Sequence, residues 1–214
     1  PTLYNLKNYN KTTGSCPNDG FYSFTTATNN YFAGRWHSLP EDHTPGDVNG
    51  KMMIVNAAEK PGDFFALTVT GLTPGAQYRV SAWFANICKY ASGCVPTPPV
   101  IEITVHANDK IISSFKTGEI KQTDVPTWQN YTGEFVMVAN TDVISLQMKD
   151  LTPGGCGNDF ALDDIEINLC SQPIPVTTTE ITKPIEQTFV TPVPNVIKAR
   201  ANPIIKQITT EETE

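Results

Sequence analysis

Two stretches of this sequence concentrate oxygen donors. Asp42-His43-Thr44 is followed closely by Asp47, Asn49 and Gly50, and far down the chain the loop Gly154-Gly155-Cys156-Gly157-Asn158-Asp159 runs into Phe160-Ala161-Leu162-Asp163-Asp164-Ile165. A hard cation such as calcium takes about six to eight oxygens from carboxylates, amides and carbonyls, and a turn dense in Asp and Asn supplies them. The first stretch does not have EF-hand spacing, and alone it reads better as a solvated turn whose side chains cap their own backbone. The second is harder to explain that way. Adjacent carboxylates within an apolar strand are costly unless something compensates them. Alternation sets Asp163 with Ala161, Ile165 and Ile167 on what reads as the inner face, and the arginines on offer are Arg35, Arg79 and Arg200. The expectation is a bound metal near Asp163, the alternative a buried Asp satisfied by hydrogen bonds.

Aromatic side chains are the other chemical resource. Trp36, Trp83 and Trp128, with Tyr90, could stack on sugar rings, although aromatics in a sandwich more often fill the core. Trp83 sits mid-strand among small residues and reads as core. Trp36, in a polar loop beside His37, and Tyr90, between Cys88 and Cys94, read as surface candidates. Catalytic signatures are missing: His37, His43 and His106 are dispersed, and no G-x-S-x-G elbow, H-E-x-x-H helix or phosphate loop occurs. Glu102 and Glu134 could be paired as glycosidase carboxylates only by stretching. The chain is expected not to be an enzyme.

The elements that must position these residues read as strands. Phe65, Leu67 and Val69 alternate with Phe64, Ala66 and Thr68; after the turn Gly71-Leu72-Thr73-Pro74-Gly75, Tyr78, Val80, Ala82 and Phe84 alternate in a second long strand, expected antiparallel to the first. Ile101, Ile103 and Val105 lead through Asn108-Asp109 to Ile111, Ile112 and Phe115, a hairpin. Tyr131 to Val138, then Ile144, Leu146 and Met148, and finally Phe160 to Leu169 follow, with weaker candidates at Phe21 to Phe24 and Met52 to Val55. About eight strands at this spacing predict an all-β jelly-roll β-sandwich over 1–170. From 171 to 214 there are six prolines, many threonines and no Gly, Trp or Cys, which predicts an extended Thr/Pro-rich tether or, alternatively, a strand for a neighbouring sheet.

With 214 residues the chain can bury a substantial core, and its net charge of −7 argues against nucleic acid or an anionic membrane as partner. No segment approaches the ~20 apolar residues that span a bilayer. The chain opens at Pro1 without a signal-peptide pattern, so a mature module cut from a larger secreted or cell-surface protein is expected. Five cysteines without a C-x2-C pair suit an oxidising compartment: Cys88 with Cys94 would staple one loop, and Cys156 or Cys16 with Cys170 would tie the end of the fold.

Asp42-His43-Thr44, Gly50-Lys51-Met52-Met53, Pro61-Gly62-Asp63 and Ala161-Leu162-Asp163-Asp164-Ile165 shortly before Cys170, in that order, resemble the MAM domain, an extracellular jelly-roll adhesion module. Leu72-Thr73-Pro74-Gly75-x-x-Tyr78 together with the terminal Leu-Asp-Asp-Ile also resembles jelly-roll carbohydrate-binding modules of bacterial surface proteins. The resemblance covers about residues 16 to 170. It implies a structural calcium ion with Asp42 and Asp163 or Asp164 as ligands and Asp47 or Asn49 as additions. A glycan or cell-surface protein is the expected partner, and Trp36, Tyr90 and Trp128 are the residues expected to meet it. The cysteine spacing departs from the MAM pattern. Leu72-x-Pro74-x-x-x-Tyr78 is equally the tyrosine corner of a fibronectin type III domain, a reading that leaves Asp163-Asp164 unexplained. Adhesion or carbohydrate binding is therefore expected, with a structural spacer or assembly module as the alternative.

Overall fold

The computed structural model describes residues 8–173. Its strands are β1 (Asn10–Lys11), β2 (Phe21–Thr25), β3 (Met52–Asn56), β4 (Gly62–Val69), β5 (Gln77–Asn86), β6 (Val100–Ala107), β7 (Lys110–Glu119), β8 (Gln129–Val136), β9 (Ile144–Asp150) and β10 (Phe160–Ser171). They form a six-stranded sheet in the order β1-β2-β3-β10-β5-β8 and a four-stranded sheet in the order β4-β9-β6-β7. From β3 to β10 the chain changes sheet at every connection except the β6–β7 hairpin, as in a jelly roll, with β1 and β2 added beside β3; every pairing is antiparallel except β1 with β2. Among the described residues no helix is long and apolar enough to cross a membrane.

Alternation builds the core. Tyr78, Val80, Ala82 and Phe84 of β5 and Phe160 and Leu162 of β10 meet Phe64, Ile101, Ile103, Val105, Leu146 and Met148 of the other sheet. Phe160 is the hinge of this packing, 4.9 Å from the Phe64 ring and 6.0 Å from Phe84. Burying one such ring is worth about 1.5–3 kcal/mol. β3 is buried at all five positions because both its faces are covered. Met53 and Val55 enter the main core, while Met52 and Ile54 join Ala85, Ile87 and Ala161 in a second cluster under Trp36 and Leu39, supplied by the long β2–β3 connection.

The hairpin forms as expected, with β6 and β7 joined through Asn108 and Asp109, both at positive φ (49° and 60°). Three expectations need correcting, and one alternative falls away. β4 and β5 do not pair: the turn between them carries the chain from one sheet to the other. The tyrosine corner is present, with Tyr78 Oη accepting the Thr73 N–H at 2.8 Å, but it sits in a jelly roll rather than a fibronectin fold. Cysteine pairing differs as well. Cys94 is bonded to Cys156, leaving Cys88 buried and Cys16 and Cys170 exposed as thiols, because antiparallel β5 and β10 bring the loop after one beside the loop before the other. Finally, Asp163 does not share a face with Ile165 and Ile167. A bulge between Asp163 and Glu166, with Asp164 at φ 43°, reverses the alternation, so Asp163 follows Ala161 outward while Ile165 and Ile167 return to the core. β10 ends at Ser171, and the tether expected over 171–214 lies beyond Pro173 outside the described residues.

Candidate functional site

The outward turn of Asp163 places it under the β2–β3 connection. Asp163 Oδ2 accepts the backbone N–H of His43 at 2.9 Å, and Asp164 Oδ2 meets His43 Nδ1 at 2.7 Å and the Thr44 hydroxyl at 2.8 Å. The His43 ring stacks on Trp83 with centroids 3.9 Å apart and meets Trp128 edge-on at 5.5 Å. Trp83 is consequently half-buried on the outer face rather than in the core, and Trp128 is half-buried in holding the loop. Within that loop the Asp42 and Asp47 carboxylates close over Gly50, where an added methyl group would overlap both. Asp42 is 7% exposed. Burial pushes its carboxyl pKa up, and the charges of Asp47, Asp164 and Glu41 push it further, against a backbone hydrogen bond from Thr44. Asp163 is raised too, by burial first and then by Asp164 and Asp42.

The ion pairs among the described residues are His43–Asp164, Arg79–Glu134 and Lys116–Glu102, so no Lys or Arg offsets Asp42, Asp47 or Asp163. Carboxylates and amides are the donor types a hard cation takes, and Asp42 and Asp47 converge beside Gly50. As they stand the carboxylates form two groups, Asp42 with Asp47 and Asp163 with Asp164. Among the described residues no three or more His, Cys, Asp or Glu side chains are gathered to hold an ion. Asn49 is exposed at φ 67° and serves the turn into Gly50. Glu102 and Glu134 lie in different sheets, each paired with a cation, and do not face each other across a cleft.

A second feature lies at the pole where β3 and β5 end and β10 begins, a cavity of about 380 Å³. Trp36, expected at the surface, is 1% exposed and forms part of its floor, because hydrophobic cluster formation over Met52, Ile54 and Ala161 outweighs its polar sequence neighbours. Its indole N–H donates to Asp159 Oδ2 at 2.8 Å. The Cys88 thiol reaches the same oxygen at 3.3 Å, and the Ala57 N–H reaches Oδ1 at 2.9 Å. Burial raises the pKa of Asp159, opposed by these three donors, and burial likewise pushes the Cys88 thiol far up. Phe32 stands at the rim, 39% exposed, in the short Tyr31–Gly34 turn where both Phe32 and Ala33 adopt left-handed φ (53° and 54°). A bulky residue is rarely held there, and such strain clusters at ligand clamps. Asp19, Arg35, Glu59 and Lys89 supply charged groups to the lining.

Tyr90 is 63% exposed, but its hydroxyl donates to the Gln122 carbonyl at 2.8 Å, so it straps its loop from outside the cavity. Trp36, Tyr90 and Trp128 are therefore not one stacking platform. Sequence reasoning missed Phe32, Arg35, Asp19 and Glu59, which come from three connections; only the glycine-rich loop before Asp159 gave a local signal.

No protein-family model matches the chain, and neither does any curated protein sequence. Solved structures do overlap it. A cyclase from Fischerella sp. TAU matches with 11% identity and a TM-score of 0.49 over 69% of this chain and 73% of that one. The EclA C-terminal domain, a sugar-binding protein, matches with 21% identity and a TM-score of 0.38 over 63% and 91%. The CBM22-1 xylan-binding domain of Paenibacillus barcinonensis Xyn10C gives 12% identity and a TM-score of 0.38 over 61% and 78%. None of the three is a MAM domain, and at these TM-scores the likenesses assign this chain neither a family nor a ligand.

Proposed function

We propose that this chain is a non-catalytic glycan-binding module of a secreted or surface protein, holding a sugar in the cavity at the β3/β5/β10 pole. The observation that carries this reading is Phe32. Its backbone is held in a left-handed conformation that costs on the order of 1–3 kcal/mol, and the result is an aromatic ring at the mouth of a polar cavity. A sugar offers an apolar ring face to such a side chain and hydroxyls to Asp19, Glu59 and Arg35 around it. Asp159 supports binding over catalysis: both its oxygens are committed to protein donors, which leaves it poorly suited to moving a proton. The Cys94–Cys156 bridge supports an oxidising setting.

Calcium belongs to this reading as a brace. Asp42, Asp47 and Asp163 are the residues that would hold it, and it would neutralise carboxylates that no Lys or Arg offsets. The chain's own part is already built: His43, clamped between Trp83 and Trp128, docks the loop on β10.

A sugar unit of about a dozen non-hydrogen atoms at about 0.3 kcal/mol per atom binds near millimolar. The test is a glycan array followed by calorimetry at millimolar sugar, with Phe32→Asn and Arg35→Ala beside the native chain. Retention of a glycan that both variants lose is the expected result. Binding that both variants keep would move the site elsewhere, and no retained glycan of any class would end the reading.

A further inference from the structure

Resting on the glycan-binding reading above, we infer that the cavity takes the end of a neutral glycan chain and not its interior. The cavity is walled by connections that are tied to one another all the way round. The Ser15 and Tyr31 hydroxyls join the β1–β2 connection to the Phe32 turn at 2.7 Å. Lys89 joins that turn to the loop after β5, its N–H donating to the Arg35 carbonyl at 2.7 Å and its Nζ to Asn30 Oδ1 at 2.5 Å. The Cys94–Cys156 bridge and the Thr97 N–H to the Cys156 carbonyl, 2.8 Å, join that loop to the one before β10. From there Gly154 N–H donates to the Ala58 carbonyl at 2.9 Å. The circuit closes where Gly20 N–H meets the Asn56 carbonyl at 3.0 Å and Asn56 Nδ2 meets the Pro17 carbonyl at 2.9 Å.

A polymer running through a site needs two open ends. A ring of mutually bonded loops over a floor of Trp36, Cys88 and Asp159 offers one mouth, and about 380 Å³ lies at the small end of the range for ligand cavities. The charges narrow the class further. Asp19, Glu59 and Asp159 outnumber Arg35 and Lys89, and the Lys89 ammonium is occupied by Asn30. An acidic terminal sugar adds a carboxylate to a lining in which Asp19, Glu59 and the buried Asp159 stand against Arg35 and Lys89, whereas a neutral one donates hydroxyl protons to Asp19 and Glu59 and accepts from Arg35.

The experiment titrates the full chain with xylo-, cello- and manno-oligosaccharides from mono- to hexasaccharide, and with uronate-capped versions of the series that binds. End recognition predicts a Kd that changes less than about threefold from disaccharide to hexasaccharide, and a loss of about tenfold or more on capping with a uronate. A Kd that tightens more than about tenfold along the ladder overturns end recognition while leaving glycan binding intact. A uronate cap that binds as well as the neutral end overturns the assignment of a neutral ligand. If no series binds and the glycan array is also blank, the underlying reading fails and the inference falls with it.

Discussion

The indole of Trp36 and the carboxylate of Asp159, 123 positions apart in sequence, are joined by a 2.8 Å hydrogen bond that fixes the β2–β3 connection to the residue just before the last strand. Replacing Trp36 by Phe keeps an aromatic ring in the second cluster but leaves an enclosed carboxylate one donor short. The expected cost is about 1–3 kcal/mol, read as a lower urea midpoint at unchanged m-value.

Calcium is expected to raise the melting temperature of the native chain, since an ion that binds only the folded state stabilises it by about 2.7 kcal/mol at a hundred times its Kd. Gly50→Ala is the sharper variant. It retains every carboxylate yet puts a methyl group where Asp42 and Asp47 converge, so the thermal response to calcium should vanish as it does in Asp42→Ala. A calcium response that survives in Gly50→Ala would exclude this cradle.

Asp150 is fully buried at the end of β9, and burial pushes its pKa up to about 7, against the backbone hydrogen bond from Thr152. The unfolded chain releases this proton near pH 3.9, so between about pH 4 and pH 7 the folded chain binds more protons and stability falls as pH rises, by roughly 4 kcal/mol in total from this group. Asp42, Asp159 and Asp163 shift in the same direction and add to the slope. Asp150→Asn, measured by urea unfolding across this range, should flatten part of the slope and gain on the native chain most above pH 7.

Phe32→Asn separates fold from binding. Asn tolerates the left-handed conformation that Phe32 is forced into, so stability should hold or rise by up to about 1 kcal/mol while glycan binding is lost. Thermal melts and calorimetry on the same sample check both halves.

Reducing the Cys94–Cys156 bridge, which spans 62 residues, should cost about 4 kcal/mol on the chain-entropy estimate. It should also weaken glycan binding, because the bridge is one of the ties around the cavity. Melting and titration with and without reductant measure the two effects.

The sandwich was legible because alternation survives wherever a strand has one covered face, as in β6 and in β9 from Leu146 onward. Asp163 was recognised as anomalous but assigned to the wrong face, since a bulge at Asp164 leaves no mark in a two-residue period. Trp36 misled because its immediate neighbours are polar; what buries it is Met52, Ile54 and Ala161, which become its neighbours only after the sheet forms. The disulfide was illegible for the same reason: Cys88 and Cys94 are close in sequence, but Cys94 and Cys156 share a pole of the sandwich. Phe32, Arg35, Asp19 and Glu59 carry no common motif, and their grouping is a product of topology alone.

β10 opens at Phe160, beside the cavity, and runs for 12 residues to Ser171, which pairs with Gln77 at the far end of β5. At about 3.3 Å per residue the strand separates these points by roughly 35–40 Å. Whatever continues from Ser171 therefore departs from the pole opposite the cavity. The length of the sandwich thus separates the end of the last strand from the mouth of the cavity, so a chain held at its Ser171 end would present that mouth away from its support.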